Sequence, residues 1–273
     1  MPELPEVETV RKGLNRLVRE KTIQSVEVLY PNMIRTGAEG FRKNLANQTI
    51  HSVERRGKYL IFHLSRNVLI SHLRMEGKYL FYTDTVDYNK HFHVIFHFTD
   101  GSHLVYQDVR KFGTMELLDS EQVESYFSSK KLGPEPTKND FLLEPFQIAL
   151  RKSKKVLKPY LLDQTAVVGL GNIYVDESLW RACIHPARLA NSLKENEIEC
   201  LHDSIIYILQ LGIQKGGSTI RTYRNALGED GTMQEFLAVY GKTGEPCPRC
   251  QTPIEKIKLA GRGTHFCPSC QVL

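Results

Sequence analysis

Apolar residues close to the N-terminus recur at the spacing of an α-helix. Within residues 5 to about 19 they stand mostly three or four positions apart, at Val7, Val10, Leu14, Leu17 and Val18. Pro5 suits a first helical turn, where a missing N–H loses no partner. Glu6 and Glu8 add negative charge at the positive end of the helix dipole. The pattern predicts a buried N-terminal helix.

Between about Thr22 and Val109 the hydrophobic period shortens to two residues. Apolar and polar positions alternate in residues 26–30 and 92–98, and residues 58–64 and 67–73 form further short runs. A period of two is typical of strands that bury one face. We therefore predict a β-sandwich of about eight strands for this half of the chain.

The segment at residues 131–137, Lys-Leu-Gly-Pro-Glu-Pro-Thr, interrupts both patterns. Neither a helix interior nor a central strand tolerates this combination of glycine and prolines, so we place a domain boundary here. Beyond it the helical period returns in four segments, residues 140–151, 156–163, 172–182 and 192–215. The predicted fold class is α+β, with a β-sandwich followed by an α-helical domain.

The composition is that of a globular protein, with 41% hydrophobic and 25% charged residues in a chain of 273. It excludes collagen-like and disordered classes, and the length suggests two or three packed units. No apolar run approaches the length of a membrane span, and the first residues lack the basic and apolar regions of a signal peptide. Secretion and membrane insertion are therefore disfavoured.

The charge balance permits an anionic partner without requiring one, since the net charge is +5. One basic cluster stands out, formed by Arg151, Lys152, Lys154, Lys155 and Lys158. Such a cluster is typical of a solvated helix face as well as of an anion-binding surface. Taken alone, it leaves both interpretations open.

Four of the six cysteines form two Cys-x-x-Cys pairs near the C-terminus, Cys247 with Cys250 and Cys267 with Cys270. Two such pairs on facing turns supply the four thiolates of a closed tetrahedral site. We predict one structural Zn²⁺ per chain and no organic cofactor, with iron as the alternative metal for the same sulfurs. The other two cysteines, Cys183 and Cys200, fall in apolar helical stretches and are predicted to lie in the core.

Pro2 and Glu3 carry candidate catalytic groups. Removal of Met1 leaves Pro2 with a secondary α-amine, and an α-amine of pKa about 7.7–8.0 is neutral far more often at neutral pH than a lysine amine. Its attack on a carbon that can become a carbonyl gives an iminium ion, which makes elimination next to it easy. Glu3 is placed to protonate a leaving oxygen. The alternative is that this segment only starts a helix.

Six ordered motifs resemble those of the bacterial formamidopyrimidine-DNA glycosylase family. They are PELPEVET from residue 2, RRGKYL from 55, SHLRMEGKY from 71, DVRKFG from 108, GLGNIYVDE from 169 and GRGTHFCPSC from 261. The resemblance runs through both halves of the chain and the cysteine hairpin. It implies a bifunctional DNA glycosylase and AP lyase of base excision repair. Such an enzyme excises 8-oxoguanine and formamidopyrimidines from duplex DNA through a Schiff base on Pro2, then cleaves the strand by β,δ-elimination.

The resemblance also implies three catalytic residues besides Pro2. Glu3 protonates the deoxyribose ring as it opens, and Lys58 assists at the lesion phosphate and in β-elimination. Arg262, in the cysteine hairpin, grips the phosphates around the flipped nucleotide and acts in δ-elimination. Without the resemblance, Lys58 and Arg262 are ordinary solvated hairpin cations.

Contacts to DNA are implied on both sides of the lesion. A base must leave the stack before chemistry, and Met75, Arg110 and Phe112 are the residues that fill the emptied space. An apolar wedge stabilises the kink, and a guanidinium hydrogen-bonds the orphaned cytosine. Core packing is the alternative for Met75 and Phe112. Contacts to the DNA backbone, which position the duplex, are implied for His91, Lys154, Lys158 and Asn172.

The Gly-rich segment 216–233 resembles the family loop that closes over an everted 8-oxoguanine. It implies base contacts from three residues, Thr219, Arg221 and Tyr223. Glu6 and Glu76 are further residues that can face the pocket. An ordinary solvated loop is the alternative.

These expectations give a four-part domain plan. A catalytic β-sandwich spans residues 1–131, a linker 132–137, a helix-two-turn-helix DNA-binding domain 138–235 and a zinc-finger hairpin 239–273. The expected partner is damaged double-stranded DNA, and no association with a membrane is expected. The protein is expected to be a monomer that acts at the nucleoid in a bacterial cytoplasm.

Two alternatives remain open. An endonuclease VIII-type glycosylase for oxidised pyrimidines shares the Pro-Glu start and the zinc finger, but the full-length loop 216–233 and the Met75, Arg110 and Phe112 set favour the purine enzyme. A noncatalytic zinc-ribbon protein that binds nucleic acid would form no covalent adduct through Pro2.

Overall fold

The computed structural model describes residues 2–218 and 231–273, and the chain divides into two compact units. The first unit comprises Met1–Lys130 with Gly216–Thr232, and the second comprises Lys131–Lys215 with Met233–Leu273. Residues 216–218 and 231–232 of the segment predicted as the lesion loop thus belong to the first unit, whereas the domain plan grouped the whole segment 216–233 with the helices. A hydrogen bond from the Ser218 N–H to the Glu6 carboxylate is one physical reason.

The first unit opens with helix α1, Leu4–Val18, which begins one residue earlier than predicted. Glu3 is its N-cap, and the buried residues recur at the predicted helical spacing. Val10 and Leu14 join Phe62 and Phe96, one residue from each of two sheets, in a single buried cluster. Burial of this apolar face stabilises the helix that carries the candidate catalytic N-terminus.

Two four-stranded antiparallel sheets account for the eight predicted strands, with orders β1-β6-β7-β5 and β2-β3-β4-β8. The strands are β1 Ile23–Val28, β2 Ile50–Arg56, β3 Tyr59–Leu64, β4 Asn67–His72, β5 Lys78–Tyr82, β6 Phe92–Phe98, β7 His103–Gln107 and β8 Thr114–Asp119. The last strand lies beyond the predicted limit at Val109. Two short helices, α2 Ala38–Leu45 and α3 Val123–Ser129, were not predicted. Neither buries more than two residues, which leaves too weak a hydrophobic period to find from sequence.

The second unit contains the four predicted helices. They are α4 Leu143–Lys152, α5 Leu157–Leu162, α6 Asn172–Arg181 and α7 Glu195–Gln214. Near the C-terminus, β9 Glu255–Leu259 and β10 Arg262–Phe266 pair as an antiparallel hairpin. The turn residues Ala260 and Gly261 both have left-handed backbone conformations, φ 47° and 79°, as a tight two-residue hairpin turn requires.

The prediction that Cys183 and Cys200 lie in the core is wrong, because both are exposed. Cys183 follows the last turn of α6 with a left-handed φ of 58°, where the helix has ended. Cys200 stands on the solvent side of α7, between the buried Ile198 and Leu201. Within the described residues, no helix has both the length and the apolar content needed to cross a membrane.

Candidate active site and zinc centre

The N-terminal residues Pro2 and Glu3 are buried at the start of α1. Glu6, one turn into the helix, accepts a hydrogen bond from the Glu3 N–H at 2.8 Å through Oε2. Its other oxygen, Oε1, accepts one from the Ser218 N–H at 2.7 Å. The buried Glu6 carboxylate therefore links Glu3, the neighbour of the candidate nucleophile, to Ser218, which lies 212 positions after Glu6 in the chain. The sequence placed Glu6 near the pocket without assigning it this role.

Gly217, beside this bond, needs to be glycine for two reasons. Its φ is +80°, a left-handed conformation that side chains disfavour. A Cβ atom at this position would lie 2.8 Å from Glu6 Oε1, closer than carbon and oxygen pack. The absence of a side chain lets the backbone of residues 217 and 218 approach the Glu6 carboxylate.

A charged cluster fixes α1 against the first hairpin. The Glu8 carboxylate accepts hydrogen bonds from Arg11 at 2.9 Å and from Arg55 at 3.0 Å. Burial raises the pKa of Glu8, but the hydrogen bonds and charges of the two arginines outweigh it, so the pKa falls below its ordinary value of 4.5. Arg55 also donates to the Gly57 carbonyl at 2.9 Å, in the turn that Gly57 forms with Lys58.

Lys58 is the second residue of that two-residue turn and is only 7% exposed. Gly57 makes the turn possible, since its φ of 56° is left-handed. A largely buried lysine here differs from the solvated hairpin cation that the bare sequence pattern suggests.

His72 is a buried group that the sequence analysis did not single out. Its Nδ1 accepts the Arg74 N–H at 3.0 Å, so in the neutral ring the proton lies on Nε2. Burial, followed by the charges of Arg74 and Lys58, lowers the pKa of His72 to about 3. The ring is therefore an uncharged hydrogen-bond donor at neutral pH. Histidine beside the RMEG loop was the signal available in the sequence.

The residues predicted to fill the emptied base position lie on two turns of the first unit. Met75 belongs to a turn closed by a hydrogen bond from the Gly77 N–H to the Leu73 carbonyl, and its side chain is partly exposed. On the second turn, the Arg110 guanidinium lies 4.8 Å from the ring centroid of Phe112. Phe112 is 51% exposed, so neither it nor Met75 is a core residue.

His91 and Glu76 are two further candidates in the first unit. His91 is partly exposed, and its carbonyl accepts the Asp108 N–H at 3.0 Å, next to the turn that carries Arg110. Glu76 is exposed and follows Met75 directly. Both side chains are available to a ligand.

Lys158 occupies a different position from the one predicted. Its Nζ lies 2.6 Å from Asp176 Oδ1, donates to Thr264 Oγ1 at 2.8 Å, and is 1% exposed. The prediction that Lys158 contacts the DNA backbone does not fit this geometry, because the ammonium is enclosed and already paired with a buried carboxylate. Basic residues are exposed so often that the sequence pattern alone did not indicate a buried ion pair.

Asn172, Lys154 and Arg262 are more accessible. Asn172 opens α6, is partly exposed, and donates from Nδ2 to the Gly263 carbonyl at 2.9 Å. Lys154 and Arg262 are both exposed, and Arg262 is the first residue of β10. These three side chains are placed on the surface of the second unit, as binding to an anion requires.

The acidic end of the GLGNIYVDE motif attaches α6 to the C-terminal segment. Asp176 accepts the His265 N–H at 2.9 Å, and Glu177 accepts the backbone N–H groups of Ala238, Val239 and Tyr240 at 2.8–2.9 Å. Burial raises the pKa of Glu177, although those backbone donors oppose the shift. Both carboxylates are structural groups that the sequence analysis missed.

The four cysteines of the two pairs converge, with all sulfur atoms within 4.8 Å of one another. Three of the separations are 3.3 Å, 3.4 Å and 4.0 Å. A tetrahedral zinc site with Zn–S bonds of about 2.3 Å requires sulfur separations of about 3.8 Å, so the arrangement fits one structural Zn²⁺. The Trp180 indole N–H donates to Cys247 Sγ at 3.4 Å, which ties the site to α6.

The predicted lesion contacts Thr219, Arg221 and Tyr223 lie outside the described residues. Only the flanks of that segment, residues 216–218 and 231–233, are described. The Glu6 contact to Ser218 is a structural link to one of these flanks.

Three family models match the chain in order. They are the formamidopyrimidine-DNA glycosylase N-terminal domain over residues 1–115, the H2TH domain of the same enzymes over 132–224, and a zinc finger found in FPG and IleRS over 244–272. Together with the buried Pro-Glu start and the four-thiolate centre, they define a zinc-finger DNA glycosylase. The chain belongs to the formamidopyrimidine-DNA glycosylase family. The predicted class of enzyme, a glycosylase and AP lyase, is confirmed.

Curated relatives agree along the whole chain. A formamidopyrimidine-DNA glycosylase of Streptococcus mutans is 63% identical over 271 residues, covering 99% of both chains, and one of Streptococcus pneumoniae is 61% identical at the same coverage. A Lactococcus lactis Fpg variant solved with Fapy-dG DNA has a TM-score of 0.97 at 56% identity, with both chains fully covered. A MutM complex with carbocyclic 8-oxo-G DNA gives 0.96 at 55%, also with full coverage.

Proposed function

We propose that this protein removes oxidised purines, chiefly 8-oxoguanine and formamidopyrimidines, from duplex DNA with the secondary amine of Pro2 as its nucleophile. Similar structures were solved with Fapy-dG, 8-oxo-G and abasic-site DNA, which supports that substrate class. The observation that carries the proposal is the buried N-terminus, where Glu3 is fixed by Glu6 directly beside Pro2.

The reaction begins when the Pro2 nitrogen attacks C1′ of the damaged nucleotide. The bond from C1′ to the base breaks, the base leaves with its electron pair, and the sugar ring opens to give an iminium ion on Pro2. The positive charge withdraws electrons from C2′, so a proton is lost there and the 3′ phosphate departs. A second elimination releases the 5′ phosphate, which completes strand cleavage.

Glu3, Lys58 and Arg262 assist these steps. Glu3 gives a proton to the ring oxygen as the sugar opens. The largely buried Lys58 pairs with the lesion phosphate and supports the first elimination. The exposed Arg262 binds the phosphates beside the everted nucleotide and supports the second, because a guanidinium stabilises a leaving phosphate.

Binding of the duplex uses exposed groups on both units. His91 in the first unit and Lys154 and Asn172 in the second contact the DNA backbone. Lys158 is left out, because it is buried in an ion pair. Met75, Arg110 and Phe112 occupy the space of the everted base, with the guanidinium facing the opposite cytosine.

The zinc ion supplies folding energy to the hairpin that presents Arg262, and the residues that hold it are Cys247, Cys250, Cys267 and Cys270. Thr219, Arg221 and Tyr223 contact the everted base in this proposal. We further propose that the protein acts as a monomer on damaged DNA in the bacterial cytoplasm, at the nucleoid.

The test is a covalent trap. Borohydride reduces the iminium ion formed with abasic-site DNA and leaves protein and DNA permanently joined. A protein extended by residues before Pro2 has an amide nitrogen there, whose lone pair is delocalised and cannot attack. We expect such a protein to bind lesion DNA, form no trapped complex and make no strand break, while a C-terminal extension retains activity.

An extended protein that is verified intact by mass and still traps abasic DNA at the normal rate would exclude Pro2, and a lysine such as Lys58 would then be the nucleophile. Excision from duplexes that each contain one oxidised purine or one oxidised pyrimidine separates the proposed function from the endonuclease VIII type. Preference for the pyrimidines would overturn the substrate assignment.

A further inference from the structure

The two turns that carry Met75 and the Arg110–Phe112 pair meet the same buried hydroxyl group. A Cβ atom at Gly113 would lie 1.7 Å from the Tyr106 hydroxyl oxygen, and one at Gly77 would lie 2.1 Å from it. Neither distance is physically possible for a real side chain. The Tyr106 hydroxyl therefore lies against the backbone of both turns, and only glycine fits at the two contact positions.

Tyr106 itself, in β7, is wholly buried and well fixed. Its ring packs edge to face on Tyr79, with centroids 5.2 Å apart, and the Tyr79 hydroxyl donates to Ser71 Oγ at 2.8 Å. Among the described residues, however, the Tyr106 hydroxyl has no hydrogen-bond partner. A buried hydroxyl without a partner destabilises the fold, so the structural effect of this group is the spacing of the two turns.

Asp108 organises the second turn from inside. Its carboxylate is fully buried and accepts three backbone N–H groups, from Arg110 at 2.9 Å, Phe112 at 3.0 Å and Gly113 at 2.8 Å. Three donors on one carboxylate determine the path of the chain through the turn. Lys111, between them, adopts a left-handed φ of 58° that an unsupported lysine rarely takes.

The backbone of Asp108 is held as firmly as its side chain. Its carbonyl contacts His93 Nε2 at 2.7 Å, and its N–H donates to the His91 carbonyl at 3.0 Å. With the Asp108 backbone held by these two contacts, the turn leaves Phe112 exposed, and the Arg110 guanidinium lies against the Phe112 ring. The geometry of the exposed pair is thus set largely by the buried residues Asp108 and His93.

We propose that Asp108 and Tyr106 are positioning residues that determine how strictly the enzyme distinguishes the base opposite the lesion. The inference rests on the proposed function, in which Arg110 faces that base. A guanidinium reads a base edge through hydrogen bonds of fixed direction, so small displacements of its turn weaken recognition of cytosine relative to adenine. Because the Tyr106 hydroxyl contacts both turns, it fixes the position of Met75 relative to Arg110 and Phe112 when these side chains enter the DNA.

The experiment compares single-turnover excision of 8-oxoguanine opposite cytosine with excision opposite adenine. Asp108→Asn keeps the size of the side chain but points an amide N–H at backbone donors, and we expect the cytosine-to-adenine preference to fall about tenfold or more. Tyr106→Phe removes only the hydroxyl, and we expect a reduced preference with an unchanged or higher melting temperature, because the unpaired group is gone.

Asp100→Asn is the matched control. Asp100 precedes β7 as Asp108 follows it, and it accepts the Ser102 N–H at 3.0 Å in a turn at the other end of the strand. The Asp100→Asn variant should lose some stability but keep the wild-type preference for cytosine over adenine opposite the lesion. If Asp108→Asn and Tyr106→Phe lower both excision rates equally, or leave the preference unchanged, the positioning role is wrong. Absence of 8-oxoguanine excision by the wild-type protein would instead refute the proposed function.

Discussion

Lys158 Nζ lies 2.6 Å from Asp176 Oδ1, and both side chains are almost completely inaccessible to solvent. The ammonium also contacts Thr264, and the other carboxylate oxygen accepts the His265 N–H. The pair therefore joins α5 and α6 to β10, the strand that begins with Arg262. A charge pair in the interior of the second unit determines where a surface arginine stands.

Removing one partner of this buried ion pair should lower the stability of the fold far more than removing one partner of an exposed ion pair. Asp176→Asn leaves a buried ammonium without its counter-charge, and we expect a loss of about 3–5 kcal/mol in the free energy of unfolding. Urea denaturation measures it. Lys155→Met, which removes an ion pair to Asp163 whose lysine is 65% exposed, should change the value by less than about 1 kcal/mol. Comparable effects for the two variants would contradict the structural role.

Loss of zinc should be visible through the only tryptophan. Trp180 donates to Cys247 Sγ, and the Arg249 guanidinium lies 4.4 Å from its ring centroid. Chelation or Cys247→Ser should unfold the hairpin, expose the indole and displace Arg262, so that fluorescence shifts to longer wavelength and DNA affinity falls. The β-sheet signal of the first unit should persist. Cys200→Ser, at an exposed position of α7, is the control and should change neither property.

Met75→Ala should separate base extrusion from strand cleavage. Extruding a stacked base requires a few kcal/mol, and a preformed abasic site has no base to extrude. We therefore expect excision from lesion duplexes to fall more than cleavage at abasic sites, measured as single-turnover rates on matched strands. Ile148→Ala, an exposed apolar position in α4, should affect neither rate. Equal losses on both substrates would assign Met75 to packing.

The Glu8 cluster predicts that stability declines in acid. Because the arginines hold the folded-state pKa below 4.5, Glu8 stabilises the fold fully above about pH 4.5. This contribution is lost as the pH falls through the lowered value, since the unfolded chain then binds the proton first. Thermal melts from pH 7 to pH 3 should show a smaller decline for Glu8→Gln than for the wild type. Glu39→Gln, at an exposed position of α2, should follow the wild-type curve.

Hydrophobic periodicity predicted the helices and strands that bury one face, and cysteine spacing predicted the four residues that bind one metal ion. Helix α1 and four of the strand segments repeat their apolar residues often enough to be located, and Cys-x-x-Cys fixes two sulfurs of each pair locally. The chemistry of an N-terminal secondary amine indicated Pro2 as a candidate nucleophile, and the family resemblance supported it. These signals depend on neighbouring residues, so the sequence contains them directly.

Contacts between residues that are distant in the chain could not be predicted from the sequence. Nothing near Lys158 in the chain indicates a carboxylate eighteen positions later on another helix, and an isolated lysine is normally exposed. The bond between Glu6 and Ser218 spans 212 positions. Asp108 was visible inside a motif, but only the folded turn shows its three backbone donors.

The carbonyl of Gly263 accepts from Asn172 Nδ2 at 2.9 Å and from Lys158 Nζ at 3.2 Å, so both of its lone pairs are in use. If Asn172 turns its amide towards another acceptor, the carbonyl retains the lysine and is not left unsatisfied. The exchange therefore carries a smaller penalty than breaking a solitary buried hydrogen bond. Under the proposed function, Asn172 can therefore exchange this internal hydrogen bond for one to a DNA phosphate, and reverse the exchange, at low cost.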